Sequence, residues 1–224
     1  MIAAIIPARG NSKGIPRKNL IDFCGRPLLA WSIEQALQSE SVDHVFVSSD
    51  SEEILSVAET YGAKPILRPP ELASDTATSE SAWLHAVDTI EEGFGKMEYV
   101  IGMQPTSPVR ESADLDKAVI FTRENGYDSV FSGSEIADFC IWTGGSELKS
   151  LTYDYLNRKR RQEFGVQYLE NGSFYVFRPQ VLREKNNRLG GKIGVFTMPI
   201  WKSFEVDDLE GLEFLKVIMK GYLL

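Results

Sequence analysis

The chain begins with an apolar run, Met1-Ile2-Ala3-Ala4-Ile5-Ile6, that ends at Pro7. The run is too short and too β-branched for a helix, so it predicts a buried first strand. The segment that leaves it, Arg9-Gly10-Asn11-Ser12-Lys13-Gly14-Ile15-Pro16-Arg17-Lys18-Asn19-Leu20, is small, glycine-containing and cationic. Gly10 and Gly14 permit tight backbone and positive φ. Ser12 offers a hydroxyl, and Lys13, Arg17 and Lys18 offer charge. A strand tip that opens into such a loop is the usual place for a polyphosphate in an α/β fold. The spacing fits neither G-x-x-x-x-G-K-[ST] nor G-x-G-x-x-G, because Ile15 follows Gly14 and no glycine stands at position 12. On the residues alone, the loop reads either as a phosphate site or as a basic surface turn.

The rest of the first half alternates helix and strand. A helix from Leu28 through Gln38 follows Pro27, which suits a first helical position. Val45–Ser48 reads as a strand, Asp50 as the cap of the next helix, Gly62 as its stop, and Pro65–Leu67 as a third strand. That order implies a parallel sheet with right-handed crossovers. A polar loop, Arg68-Pro69-Pro70-Glu71-Leu72-Ala73-Ser74-Asp75-Thr76, leads to a helix from about Ser79 to Glu92 and a strand, Tyr99–Met103. The strand ends in Gln104-Pro105-Thr106-Ser107-Pro108-Val109-Arg110, where two prolines stiffen a loop rich in polar side chains. Its position at a sheet edge favours a pocket wall over a plain turn.

Ala113 to Asn125 reads as a further helix and Ser129–Ser132 as a strand. Residues 134–168 lack clean periodicity and carry Arg158-Lys159-Arg160-Arg161, a solvated face or an arm that packs on a second subunit. Strand character returns over Leu169–Phe177, with Asn171-Gly172 read as a turn just before it. Val195–Pro199 is a last strand, and Glu205-Val206-Asp207-Asp208 precedes a final helix from about Leu209 to Lys220. From charge alone these carboxylates read first as helix caps; beside a triphosphate they would instead hold Mg²⁺. His44 and His85 have no sequence neighbour of metal-ligand type and read as surface or helix residues.

The chain of 224 residues carries a net charge of −8, which argues against general nucleic-acid binding but not against a local cationic pocket. Two cysteines without metal-like spacing point to a reduced, cytoplasmic setting. There is no apolar run of the length a membrane helix needs and no charged segment ahead of the first strand, so neither a membrane span nor a signal peptide is expected.

Four segments together resemble the CMP-sialic acid synthetases (acylneuraminate cytidylyltransferases): the loop Arg9–Leu20, the segment Arg68–Ser79, the motif Gln104–Arg110, and Asn171-Gly172-Ser173-Phe174-Tyr175. They occur in the family's order over nearly the whole chain; the related Kdo cytidylyltransferases match the first loop and the central motif less well. The resemblance implies a Rossmann-like nucleotidyltransferase fold, a mostly parallel sheet flanked by helices. It implies one domain over 1–224 with an inserted dimerisation arm at about 134–170. The implied reaction transfers CMP from CTP to the anomeric hydroxyl of a nonulosonic acid, in a homodimer, with Mg²⁺ (Mn²⁺ as the alternative). Arg9, Ser12 and Lys13 become phosphate contacts, and Lys18 stabilises the departing pyrophosphate, with Arg9 and Lys13 beside it in the catalytic set. Asn19, Arg68 and Ser79 hold ribose and cytosine. Gln104, Arg161, Asn171 and Tyr175 line the sugar-acid pocket, and Glu205 and Asp207 take the metal positions.

Two departures bear on these roles. The family's Asp-x-Asp is here Glu205 and Asp207, and a sugar-binding lysine of some members is replaced near Trp142. The alternatives are a same-fold enzyme using GTP or another sugar acid, a kinase-like γ-phosphate transfer, or a non-catalytic nucleotide-binding protein.

Overall fold

A computed structural model describes residues 1–224 apart from 13, 75–76, 138 and 164, and apart from the side chain of Arg161. A single seven-stranded sheet organises it. In chain order the strands are β1 Ile2–Pro7, β2 His44–Ser49, β3 Lys64–Leu67, β4 Tyr99–Met103, β5 Ser129–Ile136, β6 Gln167–Phe177 and β7 Ile193–Thr197. Their spatial order is β7-β5-β6-β4-β1-β2-β3. β6 runs antiparallel to both neighbours, and every other pairing within this sheet is parallel.

The apolar run at the start occupies the middle of this sheet and is covered on both faces, which is why it lacks alternation. Ala4 and Ile6 point to a core built with Leu29 and Ile33 of α1 (Leu28–Leu37), Ile54 of α2 (Glu52–Thr60) and Leu115 of α4 (Ser112–Glu124). Ala3 and Ile5 point the other way, to Trp83 and Val87 of α3 (Ser79–Phe94) and Leu182 of α5 (Pro179–Lys185). The protein is therefore a three-layer α/β/α sandwich. α6 (Leu209–Tyr222) closes a third cluster over Phe23, Trp31 and Val109. Among the described residues no helix is long and apolar enough to cross a membrane.

Several local expectations change. Pro27 precedes α1 as its cap instead of standing inside it. Ser51, not Asp50, caps α2, its Oγ accepting from the Ile54 N–H. Asp50 instead accepts from the Gly10 N–H at 2.9 Å and ties β2 to the first loop. α5 was not anticipated: at seven residues it is too short to show a periodic face. Asn171-Gly172 is not a turn before a strand but a bulge inside β6. Glu170 pairs with Gly133 and Tyr175 with Phe131, so the residues between are looped out, with Gly172 at φ +65°. The Ser132 hydroxyl fills that bulge, 2.6 Å from Asn171 Oδ1 and 2.8 Å from the Phe174 carbonyl, and accepts from the Phe174 N–H.

Candidate nucleotide-transfer site

The C-terminal ends of β1, β3 and β4 open onto a cleft of about 530 Å³. Its wall includes Arg9, Ser12, Gly14, Lys18 and Asn19 from the first loop, Arg68 and Ser79 from the polar segment, Gln104 and Thr106 from the central motif, and Glu205 and Asp207 from the approach to α6. Four stretches distant in sequence thus meet at one sheet edge, the usual position for a ligand in an open α/β sheet.

Each stretch is held by local chemistry. The first loop is anchored at its start by the Asn19 amide, which donates to the Arg9 carbonyl at 3.0 Å. Its far end lies against Asp207: a β-carbon at Gly14 would collide with the Asp207 carbonyl oxygen, so glycine is required for that approach. Arg17, at φ +55°, turns its side chain away to pair with Glu53 on α2. Lys18 turns inward, its Nζ 3.3 Å from Asp207 Oδ1. Arg68 is buried and donates from Nε to Ser48 Oγ and from Nη2 to the Ser48 carbonyl. Burial lowers its pKa, and nearby Asp50 opposes that shift. Ser79 opens α3, whose cap is Thr78 Oγ1, so the first free N–H groups of that helix lie at the cleft wall.

The acidic side of the cleft divides its labour. Asp208 caps α6, accepting from the Gly211 N–H at 2.7 Å. Glu205 and Asp207 face the cleft instead. Glu205 accepts from Thr106 Oγ1 at 3.0 Å, and the Val206 N–H donates to the Thr106 carbonyl at 2.8 Å, so the central motif sets the carboxylate's position. Burial first, and then the neighbouring Asp207 charge, push the Glu205 carboxyl above its ordinary value, against the Thr106 hydrogen bond. The Asp207 charge makes ionisation of Glu205 costly, and a hard divalent cation between the two carboxylates would relieve that cost. Gly172 makes room for Glu205, since a β-carbon there would overlap Oε1. The donor set fits Mg²⁺: one or two carboxylates plus substrate phosphates is the way that ion is usually held.

Two predicted sugar-acid contacts lie behind the cleft wall. Asn171 is buried in the β6 bulge, its Oδ1 accepting from the Ser173 N–H at 3.1 Å. Tyr175 is buried edge-on to Trp83, itself a cleft residue, and its hydroxyl donates to Glu170 Oε1 and accepts from Arg188. Burial raises the Tyr175 pKa, so it stays a neutral phenol. Arg161 opens a 3-10 turn, Arg161–Glu163, and its side chain lies outside the described residues, as does Lys13 altogether. Trp142 does not line the cleft; its indole donates to the Tyr153 hydroxyl at 3.1 Å. Thr106 and Trp83 are cleft residues outside the predicted set. Thr106 stood inside the quoted central motif, whereas Trp83 looked like any helix-face aromatic.

A family model described as "Cytidylyltransferase" matches residues 3–212. The chain is similar to the pseudaminic acid cytidylyltransferase of Campylobacter jejuni subsp. jejuni serotype O:23/36 (strain 81-176), 32% identical over 220 residues, 96% of this chain and 95% of that protein. It is similar to N-acylneuraminate cytidylyltransferase A of Danio rerio, 36% identical over 214 residues, 92% of this chain but 48% of that protein. Among solved structures, CMP:2-keto-3-deoxy-manno-octonic acid synthetase complexed with CTP superposes with a TM-score of 0.73 at 19% identity, covering 99% of both chains, a likeness of fold.

Proposed function

The chain belongs to the cytidylyltransferase family, and on that footing we propose that it transfers CMP from CTP to the anomeric hydroxyl of a nonulosonic acid, releasing pyrophosphate. The observation that carries the proposal is the convergence of Arg9, Ser12, Lys18, Asn19, Arg68, Ser79, Gln104, Glu205 and Asp207 on one cleft.

In the reaction the anomeric oxygen forms a bond to the α-phosphorus of CTP while the bond from that phosphorus to the bridging oxygen of the β-phosphate breaks. The hydroxyl proton passes to solvent, and pyrophosphate departs. No covalent nucleophile is needed; charge neutralisation and alignment do the work. Arg9 and Ser12 bind the triphosphate, and Lys18 follows the negative charge that builds on the leaving pyrophosphate. The same phosphate role belongs to Lys13. Asn19, Arg68 and the start of α3 at Ser79 orient ribose and base. Gln104 faces the sugar acid; Asn171 and Tyr175 shape that end from behind, and Arg161 supplies a cation for the substrate carboxylate. Glu205 and Asp207 would hold Mg²⁺, which when bound neutralises phosphate charge.

We further propose a homodimer formed through the segment between β5 and β6. Phe139, Ile141, Leu148, Leu151 and Leu156 are all exposed there, a concentration of apolar surface that a second copy would cover. A cytoplasmic setting suits an enzyme drawing on CTP.

The test is pyrophosphate release by the purified protein with Mg²⁺, offering CTP, GTP, ATP or UTP with N-acetylneuraminic, deaminated, legionaminic or pseudaminic acid. Release with CTP and at least one acid is expected. Lys18→Ala should lower kcat by about 10²-fold or more while leaving thermal unfolding within a few degrees. Binding of CTP without release from any pair would instead support a non-catalytic protein.

A further inference from the structure

Directly behind the central motif lies a group that no step above uses. Arg110 ends the motif, and its side chain is 1% exposed. Nη1 donates to the Ser173 carbonyl at 2.8 Å and to Ser173 Oγ at 3.0 Å. Nη2 donates to the Gln104 carbonyl at 3.1 Å and to the Ser32 hydroxyl of α1. Nε is buried without a partner among the described residues. None of these contacts is to a carboxylate. Asp114, the nearby acid on α4, is taken by Lys202, whose Nζ lies 2.6 Å from it. A guanidinium buried among neutral acceptors is an expensive way to tie loops together, because the desolvation of the charge is not offset by a contacting anion. Burial lowers its pKa to about 9, opposed by the charges of Asp114 and Glu205, and it remains a cation at neutral pH.

The two carbonyls it clasps belong to the two sides of the sugar-acid end. Gln104 lines the cleft on one side. Ser173 follows Gly172, which seats Glu205, and Asn171, the residue of the β6 bulge. The backbones of these two segments are joined directly as well, the Gln104 N–H donating to the Ser173 carbonyl at 3.1 Å. Arg110 therefore closes a ring: Gln104 carbonyl, guanidinium, Ser173 carbonyl, Gln104 N–H. The outer side of the motif is held too, since the Gln35 amide donates to the carbonyls of Pro108 and Arg110 at 2.7 and 2.8 Å.

Resting on the transferase reading, we propose that Arg110 is a positioning residue for this reaction: its clasp on the Gln104 and Ser173 carbonyls fixes the Gln104 side chain and the Gly172–Glu205 contact relative to each other across the cleft. Arginine is needed because its planar fork reaches four acceptors at once, the two carbonyls and the Ser173 and Ser32 hydroxyls, one more than an ammonium has N–H groups.

The experiment compares Arg110→Lys and Arg110→Met with the parent enzyme. Steady-state pyrophosphate release is paired with the side-chain amide signals of isotopically labelled Gln104, assigned by a Gln104→Glu variant. Both substitutions should lower kcat at least tenfold and raise KM for the sugar acid, with KM for CTP within threefold, and both should displace the Gln104 amide signals. A merely structural role would lower the unfolding temperature and the folded fraction but leave these ratios and signals at parental values. Folded Arg110→Lys with kcat, both KM values and the Gln104 signals unchanged would overturn the proposal. If neither variant folds, Ser32→Ala, which removes one Nη2 contact, must displace the Gln104 signals or the proposal fails. A parent enzyme that releases no pyrophosphate refutes the transferase reading, while the Gln104 signals still decide whether Arg110 positions that side chain.

Discussion

A β-carbon at position 172 would enter the space of the Glu205 carboxylate, and the residue there already sits at φ +65°. Gly172→Ala therefore meets two penalties. Left-handed backbone costs a non-glycine residue about 1–2 kcal/mol, which urea unfolding should register. The displaced carboxylate should raise the Mg²⁺ concentration for half-maximal pyrophosphate release by about tenfold or more. At the scale of single residues, Arg9, Ser12, Lys18, Arg68 and Gln104, to which the family resemblance assigns roles, all line one cleft. What the sequence hid was division of labour among like residues. Nothing in Glu-Val-Asp-Asp says that its last member caps α6 while the other two acids face the cleft. Nothing in the first loop says that Arg17 turns to Glu53 while Lys18 turns inward. These choices follow from backbone direction over two or three residues, and that direction is set by distant partners.

At the scale of elements, continuous apolar runs made the central strands readable, because runs this short and β-branched suit a strand buried on both faces and not a helix. β4 falls on its expected bounds. The β6 bulge was not readable, since the group that satisfies it is Ser132, on the neighbouring strand. The end of α3 offers a test of how elements are joined. Glu91 is desolvated, which alone would raise its pKa, but Lys96, the Met97 N–H and Arg183 of α5 together hold it below its ordinary 4.5. A depressed carboxylate contributes stability that is present above the unfolded-state value and is lost as pH falls through the folded one. Glu91→Gln should therefore be less stable than the parent at pH 7. It should also lose less of its remaining stability between pH 5 and 3, as read from urea midpoints across that range. Equal acid slopes would remove Glu91 from the linkage.

For the molecule as a whole, the exposed apolar side chains between β5 and β6 predict association. Sedimentation of the parent should give twice the chain mass. Leu151→Glu with Leu156→Glu, both side chains being exposed in the single chain, should give the chain mass without loss of helix content. A parent that sediments as one chain at micromolar concentration would remove the dimer. The reversed strand has a wider consequence. Because β6 runs against β5, and Gln167 pairs with Ile136, the chain leaves and re-enters the sheet at the same edge. No crossover helix has to span the sheet there, so residues 137–166 can lengthen, shorten or change composition while every strand keeps its neighbours. The cleft residues Arg9, Lys18, Arg68 and Gln104 leave the β1–β4 framework, and none of the cleft lining comes from 137–166 among the described residues. One strand turned around lets that segment vary without renegotiating the fold.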